Sequence, residues 1–229
     1  MKILDLFSGI GGFSLGLERA GMTTVAFCEI DPFCRRVLAK HWPEVPIHDD
    51  ITKLDGRAYR GASDVITAGF PCQDISVAGK RAGISGESSG LWAHVARLVR
   101  EVGPRFVLLE NSASLTVRGL GEVLGDLAEL GYDAEWNCIP AAAVGAHHLR
   151  ARQWILAYPA GFRDGLAADK VCSGRLLTEL CARRIPEPGV GRVVERLPSQ
   201  MDRARLRALG NAVDPRIPEQ IGRAMMEAV

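Results

Sequence analysis

Several absences narrow the class of this chain. No apolar run in its 229 residues approaches the ~18 that a membrane-spanning helix needs, so no membrane partner is expected. No apolar h-region precedes the first strand-like run, and we expect no signal peptide. The six cysteines, Cys28, Cys34, Cys72, Cys138, Cys172 and Cys181, form no C-x-x-C pair and no metal-ligand spacing. The expectation is a cytoplasmic protein with free thiols and no metal. Cys28 and Cys138 lie in apolar strand-like runs and read as buried small hydrophobes. Internal repeats are missing too. The net charge is only +1, which by itself says nothing about nucleic acid. Its distribution says more. Thirteen arginines fall between Leu149 and Arg223, which fits a localised polyanion footprint as well as it fits a solvated surface.

The composition, 47% hydrophobic and 24% charged, is that of an ordinary globular domain. Strand-like and helix-like runs alternate. Strands are expected at 3–6, 23–28, 46–48, 64–68, 105–109, 133–139 and 153–158. Helices are expected at 11–20, 32–41, 91–101, 120–130 and 216–229. Asp31 is a good N-cap, with Pro32 at the first helical position. Alternation of this kind predicts an α/β fold, a mostly parallel seven-stranded sheet with helices on both faces. Between Gln73 and Gly90 lies a long Gly/Ser-rich stretch carrying Lys80 and Arg81. It reads as a lid, or as a surface linker.

In an open α/β sheet, ligands bind beyond the carboxyl ends of the strands. Three strand ends here carry chemistry. The first leads into Phe7-Ser8-Gly9-Ile10-Gly11-Gly12, a turn that lets a ligand approach the backbone. Glu29 closes the second strand about twenty residues on, where an acid commonly binds ribose hydroxyls. Asp50, after the third, could accept from an adenine amino group or cap a helix. The fourth strand runs into Gly69-Phe70-Pro71-Cys72-Gln73, a thiol on a stiffened turn. A strand-end cysteine alone is more often structural, but Glu110-Asn111 closes the neighbouring strand, and thiol plus carboxylate favours nucleophilic catalysis.

Phe-Pro-Cys-Gln, Glu-Asn, the Asp-Leu-Phe-Ser-Gly-x-Gly-Gly opening and Gly210-Asn211-Ala212-Val213 together resemble the DNA (cytosine-5) methyltransferase family, over nearly the whole chain. The resemblance implies a Rossmann-like, S-adenosylmethionine-dependent methyltransferase fold. It implies a cofactor site formed by Phe7, Ser8, Gly9, Ile10, Gly11, Gly12, Glu29, Ile30, Asp50, Ile51, Gly69, Pro71, Asn211 and Val213. Cys72 would attack cytosine carbon 6, Glu110 would bond N3 and the exocyclic amine, and Arg152 would hold O2 with Arg150 in support. Gln73, Ser76, Arg81 and Asn111 would meet the flipped base or its strand.

This chain departs from the family in two places. Ser112 follows Glu110-Asn111 where valine is usual, and His148-Leu149-Arg150-Ala151-Arg152 stands where the family has Gln-x-Arg-x-Arg; one of His147 and His148 takes the place of the glutamine. The stretch available for target recognition is also short, about fifty residues. The expected division is 1–158 for catalysis and cofactor, 159–205 for a reduced recognition lobe, and 206–229 for a helix returning to the first domain. Expected partners of this monomer are double-stranded DNA and a cognate restriction nuclease. An RNA (tRNA) cytosine methyltransferase and an inactive DNA-binding homologue are the alternatives. An NAD-dependent oxidoreductase shares only the glycine loop.

Overall fold

The computed structural model describes residues 1–71, 90–146, 148–162, 176–182 and 203–228. Seven strands form one sheet: β1 (Lys2–Leu6), β2 (Thr23–Cys28), β3 (Ile47–His48), β4 (Val65–Ala68), β5 (Phe106–Ser112), β6 (Tyr132–Pro140) and β7 (Ala151–Pro159), in the spatial order β3-β2-β1-β4-β5-β7-β6. The pairs from β3 through β5 are parallel, and β7 runs antiparallel to both its neighbours. Eight α-helices are described: α1 (Gly12–Arg19), α2 (Pro32–His41), α3 (Leu91–Val102), α4 (Leu115–Arg118), α5 (Leu120–Glu129), α6 (Leu176–Ala182), α7 (Arg203–Asn211) and α8 (Arg216–Glu227).

The central strands are apolar on both faces because both are covered. Leu4, Leu6, Ile66, Val107 and Leu109 pack with Val95, Val99, Val123 and Leu127 from α3 and α5. Ile3, Val65, Phe106 and Leu108 pack with Phe13 and Leu17 of α1 and Ile217, Ile221 and Met225 of α8. The C-terminal helix therefore returns to the sheet. Its crossing with α1 is close: a Cβ at Gly16 would collide with the Pro215 carbonyl and Pro218, and one at Gly222 would lie 2.8 Å from Leu17 and 3.0 Å from Ala20.

Three expectations differ from what is observed. The fifth strand was expected to stop at Leu109 but runs to Ser112, so Glu110 and Asn111 lie inside β5, opposite Trp154 and Gln153 of β7. An antiparallel neighbour supplies ladder partners there, and no local pattern reveals it. Cys138 is half-exposed, because β6 is the sheet's outer strand. Helices α4, α6 and α7 were not anticipated. Leu177 and Leu180 of α6 are buried in the core against the sheet, although α6 falls within 159–205. Cys28 is buried as expected, and burial pushes its thiol up to about 12.

Candidate active site

The carboxyl end of β1 turns through a loop with three left-handed residues, Phe7 (φ 52°), Gly9 (φ 56°) and Gly11 (φ 86°). Phe7 is the only non-glycine residue in that region among those described, which marks a strained turn. Glu29, at the end of β2, holds the loop from the side. Its Oε2 accepts the Gly9 N–H at 2.7 Å and its Oε1 accepts the Asp31 N–H at 2.8 Å.

The loop's glycines serve different ends. A Cβ on Gly9 would meet nothing within 4 Å, so this backbone is open to a ligand. At Gly11 a Cβ would lie 2.6 Å from the Trp42 ring, and at Gly12 it would collide with the Val213 carbonyl. Trp42 is pinned by its indole N–H, 2.8 Å from Glu18. The Ser8 hydroxyl turns inward and donates to the Asp5 carbonyl at 2.6 Å. Ile10 is half-buried, while Ile30 is 75% exposed beside Glu29. Asp50 caps the following turn, accepting from the Thr52 N–H and hydroxyl at 2.9 and 2.7 Å, and these bonds hold its carboxyl below the usual range. Ile51 is buried, with its carbonyl taken by Arg97 at 2.9 Å.

The second half of the site lies where β4, β5 and β7 end. Glu110 is buried, and its Oε1 sits 3.1 Å from Arg152 Nε. Its Oε2 is 3.6 Å from where a Gly69 Cβ would stand, van der Waals contact distance from the chain that leads to Cys72. Burial pushes the Glu110 carboxyl up, although Arg152 and Arg150 pull it the other way. The Arg150 guanidinium donates to the Gly210 carbonyl, joining β7's entry to the end of α7. Arg150 is half-buried beside a like charge, and both effects lower its proton affinity.

Asn111 faces away from open space. Its Nδ2 donates to the Phe70 carbonyl at 2.9 Å and its Oδ1 accepts the Ser112 N–H at 2.7 Å. It grips the backbone just before Pro71. The Phe70 ring is buried against Trp92, 5.3 Å between centroids. Asn211 is exposed at the end of α7, whereas Val213 touches Gly12 and stands 3.9 Å from a Gly69 Cβ position. Val213 thus lies between the glycine loop and Gly69. Cys72, Gln73, Ser76, Arg81, the rest of the expected lid before Gly90, and His147 lie outside the described residues.

The sequence reading missed Asp5. It is fully buried beneath the glycine loop, accepting from the Ser14 hydroxyl at 2.7 Å and the Thr67 hydroxyl at 2.8 Å. It ties α1 to the strand that delivers Pro71. Burial pushes its carboxyl up to about 7. The signal was present, an acid inside an apolar strand, but nothing local named its partners. Among the described residues no group of three His, Cys, Asp or Glu could hold a metal ion.

A seven-stranded sheet with one antiparallel strand, a glycine loop above β1 and a buried glutamate paired with a half-buried arginine defines a Rossmann-like methyltransferase fold. The family model for C-5 cytosine-specific DNA methylases matches residues 1–189, and the chain belongs to that family. It is 38% identical over 165 residues to the type II methyltransferase M2.BsuMI of Bacillus subtilis strain 168, covering 69% of this chain and 42% of that one. It is 40% identical over 157 residues to the type II methyltransferase M.CviJI of Paramecium bursaria Chlorella virus IL3A, covering 68% and 42%. The matched segment therefore spans less than half of these curated relatives. In fold it is similar to Entamoeba histolytica methyltransferase EhMeth, with a TM-score of 0.65, 14% identity, and coverage of 100% of this chain and 97% of that one.

Proposed function

We propose that this chain methylates carbon 5 of cytosine in double-stranded DNA, using S-adenosylmethionine as donor and Cys72 as nucleophile. The observation that carries the reading is the Glu110–Arg152 pair at 3.1 Å. Glu110 is buried and Arg152 half-buried at the strand end beside Gly69, three residues before Cys72, in a chain of the C-5 cytosine methylase family.

Each residue has a task that its chemistry suits. The Cys72 thiolate attacks carbon 6, which makes carbon 5 nucleophilic. Glu110 gives its proton to N3 as the adduct forms, and its raised proton affinity favours that role. Arg152 orients Glu110 and meets the cytosine O2, with Arg150 beside it. Asn111, through the Phe70 carbonyl, sets the approach of the chain to Pro71 and Cys72. S-adenosylmethionine, when bound, supplies the methyl group. Loss of the carbon-5 proton to a base then expels the thiolate. A stacked base cannot be reached in this way, so the cytosine must leave the duplex.

The residues at β1 and β2 suit the donor. Gly9 leaves open backbone, Glu29 brings a carboxylate to ribose hydroxyls, and Ile30 and Phe7 offer apolar surface. Gly11 and Gly12 shape the loop, Pro71 and Val213 close the far side, and Asp50 and Ile51 sit beyond β3. The proposal includes the division at 158 and 205, a cytoplasmic monomer and a restriction nuclease as counterpart. That counterpart is supported by the type II names of its relatives; no described helix is long and apolar enough to cross a membrane.

The test is covalent trapping on duplex DNA containing 5-fluorocytosine, with tRNA in parallel. Wild type should form a complex on the duplex that survives denaturation, and Cys72→Ser should not. No complex from wild type on any duplex, with Cys72→Ser indistinguishable from it, overturns the reading.

A further inference from the structure

The turn after β3 is held by a side chain that the proposed reaction does not use. Residues 49–55 belong to no helix or strand, so their carbonyls need partners from elsewhere. Arg97, in the middle of α3, supplies them. Its Nη2 donates to the Ile51 carbonyl and its Nη1 to the Leu54 carbonyl, both at 2.9 Å. The planar fork of a guanidinium spans two acceptors at once, which the point charge of an ammonium does not.

Arg97 is itself fixed. Glu101, one turn further along α3, faces its Nη1 with both carboxylate oxygens at 3.0 and 2.9 Å. Glu101 Oε2 also accepts the Gly56 N–H at 2.8 Å. A Cβ at Gly56 would lie 2.8 Å from that oxygen and 2.9 Å from Glu101 Cβ, so the chain can come this close to α3 because residue 56 lacks one. Ile51 and Leu54 bury their side chains in the core with Val95, Leu98 and Val99 of α3. On the other side, β3 accepts the Glu29 N–H through the His48 carbonyl at 2.9 Å. Within the turn, Asp50 Oδ1 is taken by the Thr52 N–H and hydroxyl, while Oδ2 faces the exposed Lys53 ammonium at 3.3 Å. Oδ2 is therefore the oxygen that a ligand amine can reach.

We propose that Arg97 is a positioning residue for the methyl donor: by gripping the Ile51 and Leu54 carbonyls it fixes the turn that carries Asp50, and so sets the preference for a donor with an adenine ring. The inference rests on the reading of S-adenosylmethionine as donor and deepens it. A carboxylate on a loose turn must be ordered when the ring binds, and that cost comes out of the affinity. On a turn already clamped to α3 the cost is met in folding. Arg97 acts through the turn and takes no part in the attack on cytosine.

The test is calorimetric binding of S-adenosylhomocysteine and of S-inosylhomocysteine, in which an oxygen replaces the adenine amine. It uses the full chain and the variants Arg97→Lys, Glu101→Gln and Arg60→Gln. A hydrogen bond to the Asp50 carboxylate should separate the two ligands by roughly tenfold to a hundredfold in wild type. Arg97→Lys keeps a cation opposite Glu101 but lets the paired carbonyls go. It should bind the adenosyl ligand about tenfold more weakly and the inosyl ligand within about twofold of wild type, so that most of the preference is lost. Its KM for S-adenosylmethionine should rise about tenfold with kcat kept, the mark of lost binding that is uniform through the reaction. Glu101→Gln, which loosens Arg97, should shift the preference the same way by about threefold. Arg60→Gln is the control. It frees the Glu101 and Arg100 carbonyls at the end of the same helix and should keep the wild-type preference. An unaltered preference in both Arg97→Lys and Glu101→Gln, or equal weakening of the two ligands, overturns this inference alone. A wild type that binds neither ligand overturns it together with the reading of the donor.

Discussion

Glu110 and Arg152 meet diagonally across the antiparallel β5–β7 pair. Glu110 stands opposite Trp154 and Arg152 opposite Ser112, yet the two side chains close to 3.1 Å. The cation favours the charged carboxylate, so removing it should raise the Glu110 pKa further. Arg152→Ala is therefore expected to slow methyl transfer on the order of 10²-fold. It should also move the alkaline limb of the pH–rate profile upward, because the acid form persists to higher pH. A profile of unchanged shape would show that Glu110 does not titrate in the reaction.

Asn111 acts through the backbone it holds. Asn111→Ala breaks the bond to the Phe70 carbonyl and leaves a buried carbonyl unsatisfied, at a cost of about 1–3 kcal/mol. The expected result is slower trapping on 5-fluorocytosine duplex with unaltered cofactor affinity. Equal trapping rates would remove Asn111 from the placement of Cys72.

Gly12 and Gly16 are required by packing. A Cβ at either would collide with a carbonyl, that of Val213 or of Pro215. Gly12→Ala and Gly16→Ala should each destabilise by about 1–3 kcal/mol, read by urea denaturation. Gly9→Ala faces open space but a left-handed φ of 56°, so its cost is backbone strain and should be smaller, about 1 kcal/mol.

Asp5 predicts a pH dependence of stability with a definite sign. Its folded pKa of about 7 lies above the ordinary value of 3.8. Between those values the folded chain binds more protons than the unfolded one, so stability falls as pH rises from about 4 to about 7. Glu29 and Cys28 face the same end of β1, and the charge of Glu29 contributes to the rise. Burial pushes Glu135 up to about 7 as well, so the comparison must be with a variant. Asp5→Asn should flatten part of the wild-type fall in Tm across that window. Parallel Tm curves for the two proteins would show that Asp5 does not titrate there.

Much of the fold was legible locally. Asp31 caps α2 with its carboxylate 2.8 Å from the Phe33 N–H, and Pro32 opens the helix, as their side-chain chemistry dictates. The short-range pattern of apolar runs gave β2 and α2 to the residue. The top of β5 was not legible, because its partners Gln153 and Arg152 lie forty or more positions away. Nor was the ion pair of Asp31 with Arg207 at 2.6 Å, which fastens α7 to α2 from 176 residues along the chain. The short α6 carries little period of its own and is held by Leu177 and Leu180 against the sheet.

Residue order alone determined the α/β alternation, the turns at the strand ends and the family, because caps, apolar period and short motifs act over a few neighbours. Only the tertiary structure decided that Gly11 and Gly12 make room for Trp42 and Val213, that Asn111 holds backbone, that Asp5 lies buried between α1 and β4, and that Glu110 and Arg152 form one pair. Those outcomes depend on which distant groups share a small volume. Burial and hydrogen bonding in that volume, not sequence neighbours, set where each side chain points and how tightly each acid keeps its proton.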